Sequence, residues 1–266
     1  MKIGIFDSGL GGLIITHGLI QALPQYDYLY LGDTARVPYG NRSRETVYNF
    51  TRQSVDYLIE HGCNLIIIAC NTASAKGLRE LQQNYIPTRH PGVKVLGVLI
   101  PAAEAAAQAT KTKQVGVLAT RSTVDSSAFS RELHKIDPGL KIALNAAPLL
   151  VPLVENDGLK WAGPILDEYL APLAGVDTLI LGCTHYPYMK ELIREKVGDK
   201  VTVISQDEIV PPKLADYLRH HPEIDRTLAK GGQRQFQVTD LTDDSRRLAT
   251  ELFGEPIKLE HIPPLD

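Results

Sequence analysis

Short apolar runs recur along this chain: Lys2–Phe6 (KIGIF), Tyr28–Leu31 (YLYL), Leu65–Ala69 (LIIIA), Val93–Leu99 (VKVLGVL), Val115–Ala119 (VGVLA), Thr178–Leu181 (TLIL) and Val201–Ser205 (VTVIS). Each is rich in Val, Ile or Leu and shows little alternation, the pattern of strands covered on both faces, as in parallel sheets. Amphipathic stretches lie between them. Ser43–Glu60 sets Val47, Phe50, Ser54, Tyr57 and Leu58 at spacings of three and four, which predicts a helix with one buried face. Strands alternating with helices define an α/β fold built from crossover connections.

Two of these runs share a longer plan. LIIIACNTASA (Leu65–Ala75) and TLILGCTHYPY (Thr178–Tyr188) each pass from an apolar strand to a small residue, a cysteine, polar residues and a helix start. Cys70 and Cys183 are separated by a little under half the chain, too far for a solenoid repeat and well suited to two similar α/β lobes. Ligands of open α/β sheets bind outside the carboxyl ends of the strands, so facing lobes with mainly parallel central sheets would place both cysteines on one cleft. The expected division is 1–97 with 211–266 as the first lobe, carrying Asp7 and Cys70, and 98–210 as the second, carrying Cys183. The chain crosses near Gly97–Pro101 and returns near Val210–Pro212.

Composition narrows the setting. With 266 residues, 44% hydrophobic and 22% charged, the chain can bury one large core or two modest ones. The net charge of −3 comes without a basic stripe, so no nucleic-acid partner is expected. No apolar stretch approaches the ~20 residues of a membrane span, and MKIGIFDSGLGG lacks the features of a signal peptide. Three cysteines are odd in number and too few for a disulfide framework, which points to the cytoplasm. In that compartment a cysteine outside the core is a candidate for reactivity.

Inverting an α-carbon requires a base on one face and an acid on the other. An enzyme that runs both ways needs two like groups that exchange roles, and a thiolate facing a thiol meets that need. A free thiol is only slightly ionised near neutrality. A position just before a helix N-terminus is therefore expected to help both Cys70 and Cys183. The alternative is that each is an inert buried thiol, and Cys63, in EHGCNL, is read that way. Asp7 and Ser8 precede Gly9, Gly11 and Gly12 in a turn that offers N–H groups to an anion, although Asp7 could be only a helix cap. Asn71, Thr72, Thr184 and His185 follow the two cysteines and could cap helices or bind substrate; His185 could assist proton transfer beside Cys183. Tyr39 and Gly40, in VPYGNRS, are either a turn or a hydroxyl and an N–H for a carboxylate. The remaining histidines lack ligand spacing, so no metal site is expected.

IGIFDSGLGGL, YLGDTARVPYG, IIACNTASA and LGCTHYP together resemble the cofactor-independent glutamate racemases, in order from Ile3 to beyond Pro187. The resemblance implies a two-lobed α/β fold and a two-base reaction on glutamate with no cofactor, supplying D-glutamate for peptidoglycan, in a protein that forms dimers. Cys70 would abstract the proton from one enantiomer and Cys183 from the other. Asp7, Ser8, Tyr39, Gly40, Asn71, Thr72, Thr184 and His185 would contact substrate, with Asp7 and His185 as auxiliaries to the thiols. Glu155, in PLLVPLVENDG, would be a carboxylate on the His185 side. The chain departs from the family pattern at Leu10, Ala147, Tyr188 and SQDEIV (Ser205–Val210). Because its first strand begins at Lys2, no activation through an N-terminal extension is expected. A racemase for another acidic amino acid such as aspartate, a one-cysteine thiol enzyme and a non-enzymatic binding protein are the competing readings.

Overall fold

The computed structural model describes residues 1–265; Asp266, the last residue of the expected first lobe, lies outside the described residues. Among the described residues ten strands form two sheets: β1 (Lys2–Asp7), β2 (Tyr28–Gly32), β3 (Cys63–Ile68), β4 (Lys94–Gly97), β5 (Gln114–Ala119), β6 (Lys141–Ala146), β7 (Thr178–Gly182), β8 (Thr202–Ile204), β9 (Arg234–Val238) and β10 (Leu259–His261). One sheet has the order β10-β9-β2-β1-β3-β4 and the other β6-β5-β7-β8, and every pairing is parallel. The α/β, two-lobed parallel architecture expected from the apolar runs is the one observed. Each run lies on a strand, with ends shifted by a residue or two.

Three strands escaped the sequence reading. β6 and β10 are sheet edges and β9 is next to one. Their sequences, KIALNA, LEH and RQFQV, carry polar positions because these strands are covered less than the central ones.

Helix Arg44–Glu60 begins at Ser43, whose side chain accepts the Thr46 N–H, and it buries Val47, Thr51, Ser54, Val55 and Leu58. Phe50 and Tyr57 are only partly buried and flank that face. The second sheet connects back through helix Gln206–His220, which packs against helix Gly12–Ala22. A Cβ at Gly18 would stand 2.8 Å from the Asp207 carbonyl, so a glycine permits this close crossing.

Stripped of β9 and β10, the two sheets have the same order. β2-β1-β3-β4 matches β6-β5-β7-β8 strand for strand. The resemblance between the two cysteine strings is thus part of a longer equivalence. β3 ends just before Cys70 as β7 ends just before Cys183, and the register carried past the strand ends sets Ser8 level with Cys70 as it sets Thr120 level with Cys183.

Candidate active site

Ser8, Tyr39, Gly40, Cys70, Asn71, Thr72, Glu155, Cys183, Thr184 and His185 line one cavity of about 260 Å³ at the carboxyl ends of both sheets. Asp7 is wholly buried and forms no part of the lining. Cys63, at the opposite end of β3, packs beside Gly4 in the core, as its structural reading requires.

Cys70 caps the six-residue helix Asn71–Lys76, and its sulfur accepts the Ala73 N–H at 3.5 Å. Ser8 Oγ lies 3.3 Å from the same sulfur. The helix end favours the thiolate through the Ala73 N–H, as expected, but burial outweighs it. Burial, reinforced by the Asp7 carboxylate, pushes the Cys70 thiol up to about 12, and the Ser8 and Ala73 hydrogen bonds offset only part of that. At neutral pH Cys70 therefore rests as a thiol. Asp7 responds to burial in the same sense: its carboxyl is raised, although the charge on His185 and the Gly9 and Gly12 N–H groups favour the carboxylate. Its Oδ2 accepts the Gly9 N–H at 3.1 Å. Its Oδ1 has no aligned partner, though the Thr184 hydroxyl lies close enough to favour the carboxylate.

Cys183 departs from the expected setting in another way. Thr184 and His185 intervene before the short 3-10 turn Tyr186–Met189, so no helix begins directly at this thiol. His185 stands there instead. Burial alone would pull the imidazole down, but the neighbouring Cys183 and Glu155 lift it to about 10. It is therefore an imidazolium at neutral pH. Glu155 Oε1 lies 3.0 Å from Nε2, within ion-pair distance but not aligned as a hydrogen bond. Glu155 ends helix Leu150–Glu155 and is partly exposed at the cavity mouth.

The surrounding side chains are fixed from behind. Tyr39 Oη donates to Asp33 Oδ2 at 2.5 Å, and the buried Asp33 also accepts from Arg36 Nε at 2.7 Å and Thr239 Oγ1 at 3.0 Å. Thr72 Oγ1 is 3.0 Å from Thr120 Oγ1, a hydroxyl contact across the two sheets. Thr120, Arg121 and Asn41 also line the cavity and escaped the sequence reading. Thr120 was findable, because it directly follows the apolar run Val115–Ala119 at the carboxyl end of a strand. Val37, Pro38, Pro148, Val151 and Pro152 supply an apolar part of the wall. Among the described residues no group of three or more His, Cys, Asp or Glu is placed to hold a metal ion. No helix among them is long and apolar enough to cross a membrane.

Two parallel sheets each deliver a thiol to one cavity. Residues 3–209 match the sequence profile of Asp/Glu/Hydantoin racemases, and the chain belongs to that family of isomerases. It is 40% identical over 256 residues to the glutamate racemase of Geobacter metallireducens, covering 95% of this chain and 92% of that one. A glutamate racemase isoform from Bacillus anthracis superposes with a TM-score of 0.90 at 33% identity, covering 100% of this chain and 98% of its own. The glutamate racemase of Francisella tularensis, solved in complex with D-glutamate, superposes with a TM-score of 0.87 at 33% identity, covering 99% and 97%.

Proposed function

We propose that this chain interconverts L- and D-glutamate by a two-thiol reaction that uses no cofactor. The observation that carries the reading is the placement of Cys70 and Cys183 after equivalent strands of two matching sheets, on one cavity. One sulfur, as thiolate, takes the α-proton from one face of the substrate. The other, as thiol, gives its proton to the opposite face, so the two sulfurs end with exchanged roles and nothing else is consumed. Asp7 serves the Cys70 side and His185, with Glu155, the Cys183 side. The imidazolium supplies positive charge where a thiolate must form. Ser8, Gly40, Asn71, Thr72, Thr184 and the unforeseen Thr120 offer hydroxyl, amide and N–H groups to the carboxylates and ammonium, while Tyr39 shapes the wall through Asp33.

The same reading places the enzyme in the cytoplasm as a homodimer that supplies D-glutamate for peptidoglycan, with lobes 1–97 plus 211–266 and 98–210 closing on the substrate. These points draw on kinship with the glutamate racemases.

Each enantiomer is incubated separately in heavy water with no added pyridoxal phosphate, and aspartate is run in parallel. Product of opposite configuration should carry deuterium at Cα, while recovered substrate at low conversion should not. A requirement for pyridoxal phosphate, faster turnover of aspartate, or activity surviving the paired Cys70→Ala and Cys183→Ala changes would refute the proposal.

A further inference from the structure

The two chain crossings between the sheets meet at a single side chain. The chain leaves the first sheet after β4 through Val98, and leaves the second after β8 through Ser205, where helix Gln206–His220 begins. Gln206 is wholly buried and takes no part in the cavity wall. Its carboxamide forms a reciprocal pair with that of Asn71. Asn71 Nδ2 donates to Gln206 Oε1 at 2.7 Å, and Gln206 Nε2 donates to Asn71 Oδ1 at 2.7 Å. Gln206 Nε2 also donates to the Val98 carbonyl at 3.3 Å.

A reciprocal amide pair is degenerate by itself, because turning both amides over restores both bonds. The Val98 carbonyl removes the degeneracy, since it accepts only from an N–H. With Gln206 Nε2 held toward Val98, Oε1 is the atom left for the Asn71 N–H. Asn71 is thereby fixed in one orientation, with one N–H and one lone pair still free for another partner. That residue directly follows Cys70 and lines the cavity. Gln206 itself sits in SQDEIV, where this chain departs from the family pattern.

We propose that Gln206 is a positioning residue for the racemase reaction: it sets the amide orientation of Asn71 beside Cys70 and ties that orientation to both crossings between the lobes. This inference rests on the racemase reading above. Gln206 touches no reacting atom and acts through Asn71. Its removal leaves both Asn71 amide atoms without their buried partner, and the amide then turns freely against the substrate.

The test is a double-mutant cycle on kcat/KM for glutamate, using Gln206→Met, Asn71→Ala and the pair, with folding checked by circular dichroism and thermal midpoint. Methionine keeps the volume and removes the hydrogen bonds. Gln206→Met should lower kcat/KM by roughly tenfold in the native background, yet by less than about twofold on top of Asn71→Ala. An equal loss in both backgrounds would mean that Gln206 only braces the crossings, and would overturn the proposal. Should Gln206→Met fail to fold, Gln206→Leu removes both donor and acceptor with a different apolar shape, and the same pattern is expected. Native protein that racemises glutamate alongside an unimpaired Gln206→Met overturns this inference alone. Native protein that does not racemise glutamate overturns the functional reading and this inference with it.

Discussion

Gly11 gives the most quantitative probe of the site. It lies in the right-handed region at φ −59° and ψ −31°, so its backbone would accept any residue and no strain argument calls for glycine. The requirement is space across the cleft. A Cβ at Gly11 would stand 2.5 Å from His185 Nδ1, 2.5 Å from Thr184 Oγ1 and 2.6 Å from His185 Cε1, against an ordinary contact of 3.4 Å or more. Gly11→Ala must therefore move the imidazole and the Thr184 hydroxyl by about 1 Å, and His185 is buried between Cys183 and Glu155 with little freedom to comply.

A displacement of about 1 Å at a proton-transfer group costs on the order of a hundredfold in rate. Global stability should fall by about 1–3 kcal/mol, the cost of overpacking. The assay is the initial rate of racemisation from each enantiomer by polarimetric circular dichroism, with urea unfolding in parallel. Because the enantiomers have equal free energy, kcat/KM must fall equally in both directions, although kcat and KM can move apart individually. A Gly11→Ala enzyme that folds and keeps kcat/KM within about threefold of the native value would refute the claim that this contact sets the His185 position.

Other changes test other parts of the argument. Cys70→Ser and Cys183→Ser should each lower racemisation by about 10²–10⁴-fold, and retention of near-native turnover by either would refute the paired-thiol reading. His185 holds its proton up to about pH 10 in the native state, whereas the unfolded chain releases it near 6.5, so stability should be fully present below pH 6.5 and decline from there to about pH 10. The Cys70 thiol, raised to about 12, acts in the same direction above pH 9. His185→Gln should flatten the decline of the urea midpoint between pH 6.5 and 10, and an unchanged slope would show that this proton is not held. Tyr39→Phe removes a hydrogen bond to the buried Asp33 carboxylate and should cost about 1.5–3 kcal/mol in urea unfolding; no loss would show that Arg36 and Thr239 suffice.

Central strands were legible because burial on both faces demands continuous apolar sequence, as LIIIA and VGVLA show. The edge and near-edge strands KIALNA, LEH and RQFQV were not, since partial cover tolerates Lys, Asn, Gln and Glu. Residues next to the cysteines could be placed on the cavity because a strand end carries its neighbours with it. Gln206 could not. Its role arises from two crossings brought together by folding, and nothing near Ser205 in the sequence marks Asn71, 135 positions away, as its partner. Nor could the sequence show that burial would outweigh a short helix end at Cys70, because that balance depends on how completely the cavity wall closes over the sulfur.

The matched sheets also explain how like thiols acquire unlike helpers. The single step along the chain that carries Cys70 to Cys183 also carries Asn71 to Thr184 and Thr72 to His185. The sulfurs are therefore equivalent, while Asp7 and His185 are not equivalent to each other: by strand register the counterpart of Asp7 is Ala119, and that of His185 is Thr72. Thr72 meets Thr120 across the two sheets with hydroxyls 3.0 Å apart, while the charge on His185 favours the Asp7 carboxylate against its burial. On the proposed reaction, mirror-image substrates of equal free energy share one transition state, so kcat/KM stays equal in both directions however unlike the groups beside the two sulfurs are.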